Sequence, residues 1–260
     1  MRRWTMPTVI WLFVFCAASI GTGGELEPVD LSPAELLSAL KAKAEKIQDA
    51  TFTFNQTTRA MGQEILRAGE VTMKLPDKVH MKVTTAMPMG SMNQSVISDG
   101  HILWQISEIP TMGQQIVRFD LTEVDSSDRK GMRTGLLGGL VDPSVVGDPD
   151  RLAGRFDIKI LGREASPLGE TYVLEFNPKK EGAGRIGRIK RWLGAKDGFL
   201  YKIEMYTVSG DLMMTQEIKE VRFNTGPSDD LFQFTPPEGA QIQDGNEMMK
   251  QIMGKGNSTK

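Results

Sequence analysis

The chain has 260 residues, a formal net charge of −2, 40% hydrophobic residues and a single cysteine, Cys16. That apolar content supports a folded globule rather than a disordered chain, and the near-neutral charge supplies no global field to draw nucleic acid. The length suits one large β domain or two small domains.

The chain opens as an export signal does. Arg2 and Arg3 precede an apolar run, Val9 to Ala18, and small residues follow to Gly24. A charged start, a short apolar stretch and a small-residue exit describe a secretory signal peptide. The run is shorter than the ~20 apolar residues of a membrane span, so an uncleaved anchor is the weaker reading. The expectation is a signal over residues 1–24, cleaved between Ala18 and Glu25, leaving a chain without cysteine and so without disulfides of its own. Cys16 as a lipid-attachment site is disfavoured by the bulky Phe15 before it.

A helix comes next. Ser32 is the N-cap, Pro33 the first helical residue and Glu35 completes a capping box, while Leu36, Leu37, Leu40, Ala44 and Ile47 recur at helical spacing. The spacing predicts an amphipathic helix from Pro33 to Gln48. Strands follow, with Phe52 and Phe54, then Val71, Met73 and Leu75, then Val79, Met81 and Val83 alternating with polar neighbours. Period-two alternation gives one apolar and one wet face, the signature of antiparallel sheet. Met61-Gly62, Pro76-Asp77, Pro88 to Gly90 and Asp99-Gly100 punctuate the runs.

From Leu121 to Gly154 the pattern breaks into Asp, Gly and Pro among short apolar pieces, including Leu136, Leu137 and Leu140. This reads as loops with one or two short helices, a plug or lid over a cavity. Strands return at Tyr172 to Phe176. Arg188 to Leu193 and Phe199 to Tyr206 form a hairpin about Asp197-Gly198, and Ser209-Gly210-Asp211 turns the chain into Leu212 to Phe223. Pro236-Pro237 excludes a central strand there. Residues 245–260 read as a flexible tail with a short helix at Met248 to Ile252. Sixteen methionines suit irregular apolar surfaces that accept varied ligands, although plain core filling explains any single one.

Chemical motifs are weak. Gly182 to Gly187 spells G-x-G-x-x-G, but the next turn at Asp197-Gly198 leaves no room for a crossover helix, so a flexible hairpin loop is the reading. The basic stretch Lys179, Lys180, Arg185, Arg188, Lys190 and Arg191 reads first as a solvated loop and second as a contact for anionic headgroups. His80 and His101 have no metal-ligand spacing. His101 lies near Asp99, but no G-x-S-x-G elbow is present, so an enzyme is not expected. Asp142, Asp148 and Asp150 lack the spacing of a calcium loop and sit beside Pro143 and Pro149, which favours turns. Three short N-x-S/T matches, at Asn55, Asn93 and Asn257, carry little weight. No cofactor or metal is expected.

Several blocks, in order, resemble the periplasmic outer-membrane lipoprotein carriers of the Lol system. They are the helix followed by Phe52-Thr53-Phe54-Asn55-Gln56, Gly69 to Pro76, Ser98-Asp99-Gly100-His101-Ile102-Leu103-Trp104, the Asp197-Gly198 turn, and Phe232 to Gly239. They span most of Leu31 to Gln243. The resemblance implies a mainly β protein with helices (α+β): a strongly curved, incomplete antiparallel barrel closed by short helices around an apolar cavity for acyl chains. It also implies an inner-membrane lipoprotein-releasing complex and an outer-membrane acceptor as partners, and a monomer in the periplasm. Where enteric-type carriers have K-R-P, this chain has Lys74-Leu75-Pro76, so the arginine that holds their lid is replaced by Leu75.

The expectation is a single carrier-like β domain over residues 25–244, shielding acyl chains of lipoproteins or related lipids. Strand alternation nominates Val71, Met73, Met81, Val83, Val96, Trp104, Ile106, Leu136, Leu137, Leu140, Tyr201, Ile203 and Met205 as cavity residues. A one-residue slip in register would move any strand's contribution to the other face. The alternatives are a lipid- or lipoprotein-sensing regulator of the same fold and a secreted hydrolase.

Overall fold

The computed structural model describes residues 26–60, 62–87, 90–110, 112–124, 148–179 and 186–256. The expected signal peptide, Cys16, Asp142 and the Leu136, Leu137 and Leu140 group lie outside these residues.

Helix α1 (Pro33–Ala44) starts on its capping box: the Ser32 Oγ accepts from the Glu35 N–H at 3.3 Å, and a Glu35 carboxylate oxygen accepts from the Ser32 N–H at 2.9 Å. It ends four residues before the expected Gln48. The Lys46 and Ile47 N–H groups bond to the carbonyls of Lys43 and Ala44, tightening the last turn, and the Gln48 N–H is taken by Asn224 Oδ1 at 2.8 Å. A tertiary partner thus outbids the next helical bond and steers Ile47 into the core.

Six strands follow: β1 (Asp49–Ala60), β2 (Gln63–Lys74), β3 (Lys78–Met87), β4 (Gly90–Ser98), β5 (Ile102–Ile109) and β6 (Gly113–Asp120). After a short helix, α2 (Pro149–Arg155), come β7 (Phe156–Ser166), β8 (Gly169–Pro178), β9 (Ile186–Gly194), β10 (Leu200–Thr207) and β11 (Leu212–Phe223). The chain closes with β12 (Ile242–Asp244) and α3 (Gly245–Gly256). One twelve-stranded sheet results, ordered β12-β6-β5-β4-β3-β2-β1-β11-β10-β9-β8-β7. Its two edge strands are not paired with each other, so the sheet is open.

Every pairing is antiparallel except the last, where β12 lies parallel to β6. The segment read as a tail from residue 245 is therefore structured at its start. Asn246 fixes the beginning of α3 by accepting from the Asp120 N–H and donating to the Asp120 carbonyl, both at 2.9 Å. Covering β6 in this way shields a hydrogen-bonding edge from other chains. On the opposite edge, Glu27 makes a two-way backbone bridge to Arg163 of β7.

Register sorts the side chains. Phe52 faces Val71, Val71 faces Met81 and Met81 faces Val96, which defines an inner face running through β1 to β4. That face holds a first cluster built on Phe52, Phe54, Val71, Met73, Met81, Val96 and Leu103, joined by Phe119 of β6 and by Phe199 and Tyr201 from the other half of the sheet. Strands so far apart in the order share one cluster because the sheet curls around it. Leu36, Leu37, Leu40 and Ala44 of α1 cover the second cluster, with Leu174, Phe176, Leu193 and Ile203 beneath. Gly198 seats the helix: its φ is +71°, and a Cβ there would stand 2.2 Å from the Leu40 carbonyl oxygen, so glycine is required. Among the described residues no helix is long and apolar enough to cross a membrane.

Candidate functional site

The inner face is the candidate site. Of the nominated residues, Val71, Met73, Met81, Val83, Val96 and Tyr201 share the first cluster, each at most 6% exposed. Ile203 belongs to the second cluster, with Met205 packed against it. These eight stand on one face of one sheet, as alternation predicts. Their side chains are buried in two apolar clusters, which keeps water from them. The Tyr201 hydroxyl donates to Asp197 Oδ2 at 2.7 Å, and burial with this bond pushes its pKa up.

Two nominations are corrected. Val96 faces Gln105, and Ile97 faces Trp104, so the inner positions of β5 are Leu103, Gln105 and Ser107. Trp104 and Ile106 point from the outer face, where they gather with Ile97, Ile116, Phe234 and Ala240. The physical reason is a cover on that side: the Phe234 ring stands edge-on to Trp104 with centroids 5.4 Å apart. A strand buried on both faces loses the polar–apolar contrast from which its orientation is read. The nominations omit Phe52 and Phe54, whose alternation already marked an apolar face, and Leu103 and Phe119, which strand register identifies.

Leu75 packs against the first cluster, while Lys74 beside it donates to Asp229 Oδ1 at 2.7 Å and Lys78 pairs with Asp229 Oδ2 at 2.9 Å. These two ammonium groups pull the Asp229 carboxyl down to about 2. The lysine pair thus ties the β2–β3 turn to the segment after β11.

The two histidines stand on different elements, His80 on β3 and His101 on the turn before β5. His101 lies on a turn where Asp99 Oδ1 accepts from the backbone N–H groups of His101 and Ile102, each at 2.8 Å. The Asp99 oxygen is thus spent on turn formation. His80 faces outward, opposite Thr72 and Ile97, and desolvation with Lys82 nearby lowers its pKa. The strands flanking the G-x-G-x-x-G stretch, β8 and β9, are antiparallel neighbours, which excludes a βαβ nucleotide site. Asp148 caps α2 by accepting from the Arg151 N–H at 3.0 Å. Among the described residues no group of three or more His, Cys, Asp or Glu side chains converges as a metal site would require.

The basic stretch divides between faces. Arg188 and Lys190 lie on the outer face with Trp192, where Arg188 stacks on Tyr206 at 4.1 Å and Lys202 on Trp192 at 4.5 Å. Arg191 points inward, over the Phe176 ring at 4.8 Å.

No family model matches the chain. An outer-membrane lipoprotein carrier protein of Halorhodospira halophila is 23% identical over 208 residues, covering 79% of this chain and 84% of that protein. Solved structures with a similar backbone include an uncharacterized conserved protein of Thermus thermophilus (12% identity, 82% of this chain, 99% of that one, TM-score 0.48). They also include the lipoprotein LppX of Mycobacterium tuberculosis (13% identity, 76% and 100%, TM-score 0.45). A third is the MucA/MucB complex of Pseudomonas aeruginosa (13% identity, 78% and 61%, TM-score 0.46), of which this chain spans about three fifths. The resemblance carried by the Gly69–Pro76, Ser98–Trp104 and Phe232–Gly239 blocks is thus matched by a named relative: over most of its length this chain is similar to an outer-membrane lipoprotein carrier.

Proposed function

We propose that the protein is a periplasmic carrier that buries acyl chains of lipoproteins or related lipids against the inner face of its sheet and delivers them towards the outer membrane. The observation that carries this reading is the pair of large apolar clusters on the inner face, spread over both halves of an open sheet, the second of them covered by α1. An open sheet can part at its rim without breaking a closed ring of strand pairs. Met73, Met81, Met205 and Met214 stand on that face, and their flexible thioethers re-pack around an inserted chain at low cost. Each methylene buried contributes ~0.8 kcal/mol, so a long acyl chain supplies the free energy to open the packing. The reading has the export signal place the protein in the periplasm, with an inner-membrane releasing complex as donor and an outer-membrane acceptor as recipient.

The test is twofold. Native mass spectrometry of protein purified from its own periplasm is expected to show bound acylated species. Purified protein added to spheroplasts is expected to release lipoprotein in soluble form and pass it to acceptor membranes. Protein that neither carries nor releases acylated cargo defeats the proposal.

A further inference from the structure

A polar row crosses the inner face between its buried end and the hairpin tips. Thr85 faces Arg67, Arg67 faces Gln56, Gln56 faces Gln216, Gln216 faces Ile203 and Ile203 faces Arg191, so the row runs from β3 to β9. Thr85, Gln56 and Gln216 are buried at 7%, 5% and 1% exposure. Arg67 Nη1 donates to Gln56 Oε1 at 3.1 Å.

Arg191 is the anomaly of the row. Its cross-strand neighbours are Leu174 and Ile203, and Ile189 and Leu193 flank it on the same face of β9. The inner positions of β8 and β10 are Tyr172, Leu174 and Phe176, and Tyr201, Ile203 and Met205, without a carboxylate. Its Nε is buried and has no hydrogen-bond partner among the described residues. Burial pushes its pKa down to about 10, so it stays cationic at neutral pH. The residue as a whole is partly exposed. Buried charges are ordinarily paired and hydrogen-bonded, because an uncompensated one is strongly unfavourable. Contact with the Phe176 ring offsets only part of that cost.

We propose that Arg191 anchors the acidic oxygen headgroup, carboxylate or phosphate, of an acylated ligand whose chain lies along the inner face. This rests on the carrier reading.

The test measures binding of a long-chain fatty acid, its methyl ester and an alkyl phosphate of equal length. Wild-type protein is expected to bind the two acids roughly tenfold or more tighter than the neutral ester. In R191M the three are expected to bind alike, at the strength of the ester, and the ligand-free variant is expected to melt at or above the wild-type temperature. R191K restores part of the preference. Preference for only one acid tells carboxylate from phosphate as the cargo's head, and either result supports the anchor. Equal wild-type binding of acid and ester overturns the anchor while leaving the carrier reading in place, and this comparison needs no variant. A preference that survives intact in a folded R191M also overturns it. Failure of all three to bind overturns both readings.

Discussion

Asp49, at the first position of β1, is 4% exposed and reaches across to the chain leaving β11. Its Oδ1 accepts from the Thr225 N–H at 2.7 Å, and its Oδ2 accepts from the Gly226 N–H at 3.1 Å. Hydrogen bonds to a charged group contribute ~1.5–3 kcal/mol, so D49A is expected to lower unfolding free energy by roughly 2–3 kcal/mol in a urea titration. Asp229 reports on pH instead. Its folded pKa of about 2 lies below the ~3.9 of an unfolded Asp, so its contribution is present above the unfolded value and is lost as pH falls through the folded one. The D229N protein is therefore expected to lose less stability than wild type between pH 4 and 2, read as the difference between their melting temperatures across that window. Because Asp229 is solvent-exposed, the effect is expected to shrink in high salt.

At the scale of elements, α1 and α3 are held differently. Ser32 is legible as a cap from the sequence, and S32A is expected to cost about 1 kcal/mol by chemical denaturation. The seat of α3 is not legible in that way. Its anchor is the reciprocal Asn246–Asp120 backbone pair, and Gly245 lies so close to Phe119 that a Cβ would stand 2.3 Å from the ring. N246A is expected to release α3 and β12 together, seen as faster amide hydrogen exchange over residues 242–256 with the remaining sheet protected. Within the sheet, Gly69 lies beneath the Phe54 ring and 2.3 Å, for a built Cβ, from the Lys82 carbonyl oxygen. G69A is thus expected to displace Phe54 and lower the melting temperature, whereas an alanine at the exposed Gly154 of α2 meets nothing within 4 Å.

For the whole molecule, residue types and spacing determined most of the element list. The capping box, the alternation at Phe52 to Phe54 and Val71 to Val83, and the Asp197-Gly198 hairpin read directly, because they depend on local backbone preference and on one buried face. Those strands imply an antiparallel sheet with one apolar face, while its curved, open form was what the family resemblance implied. Three matters were decided only by tertiary structure. The outer-face position of Trp104 and Ile106 depends on Phe234, which arrives from more than a hundred residues later and buries the second side of β5. The parallel seating of β12 depends on an edge that exists only once β6 has folded. The isolation of Arg191 depends on strand register, since nothing in a run of basic residues tells which of them faces inward among Leu174, Ile203 and Phe176. Alternation along one strand specifies two faces but not which neighbour covers each, and that choice belongs to contacts between segments distant in the chain.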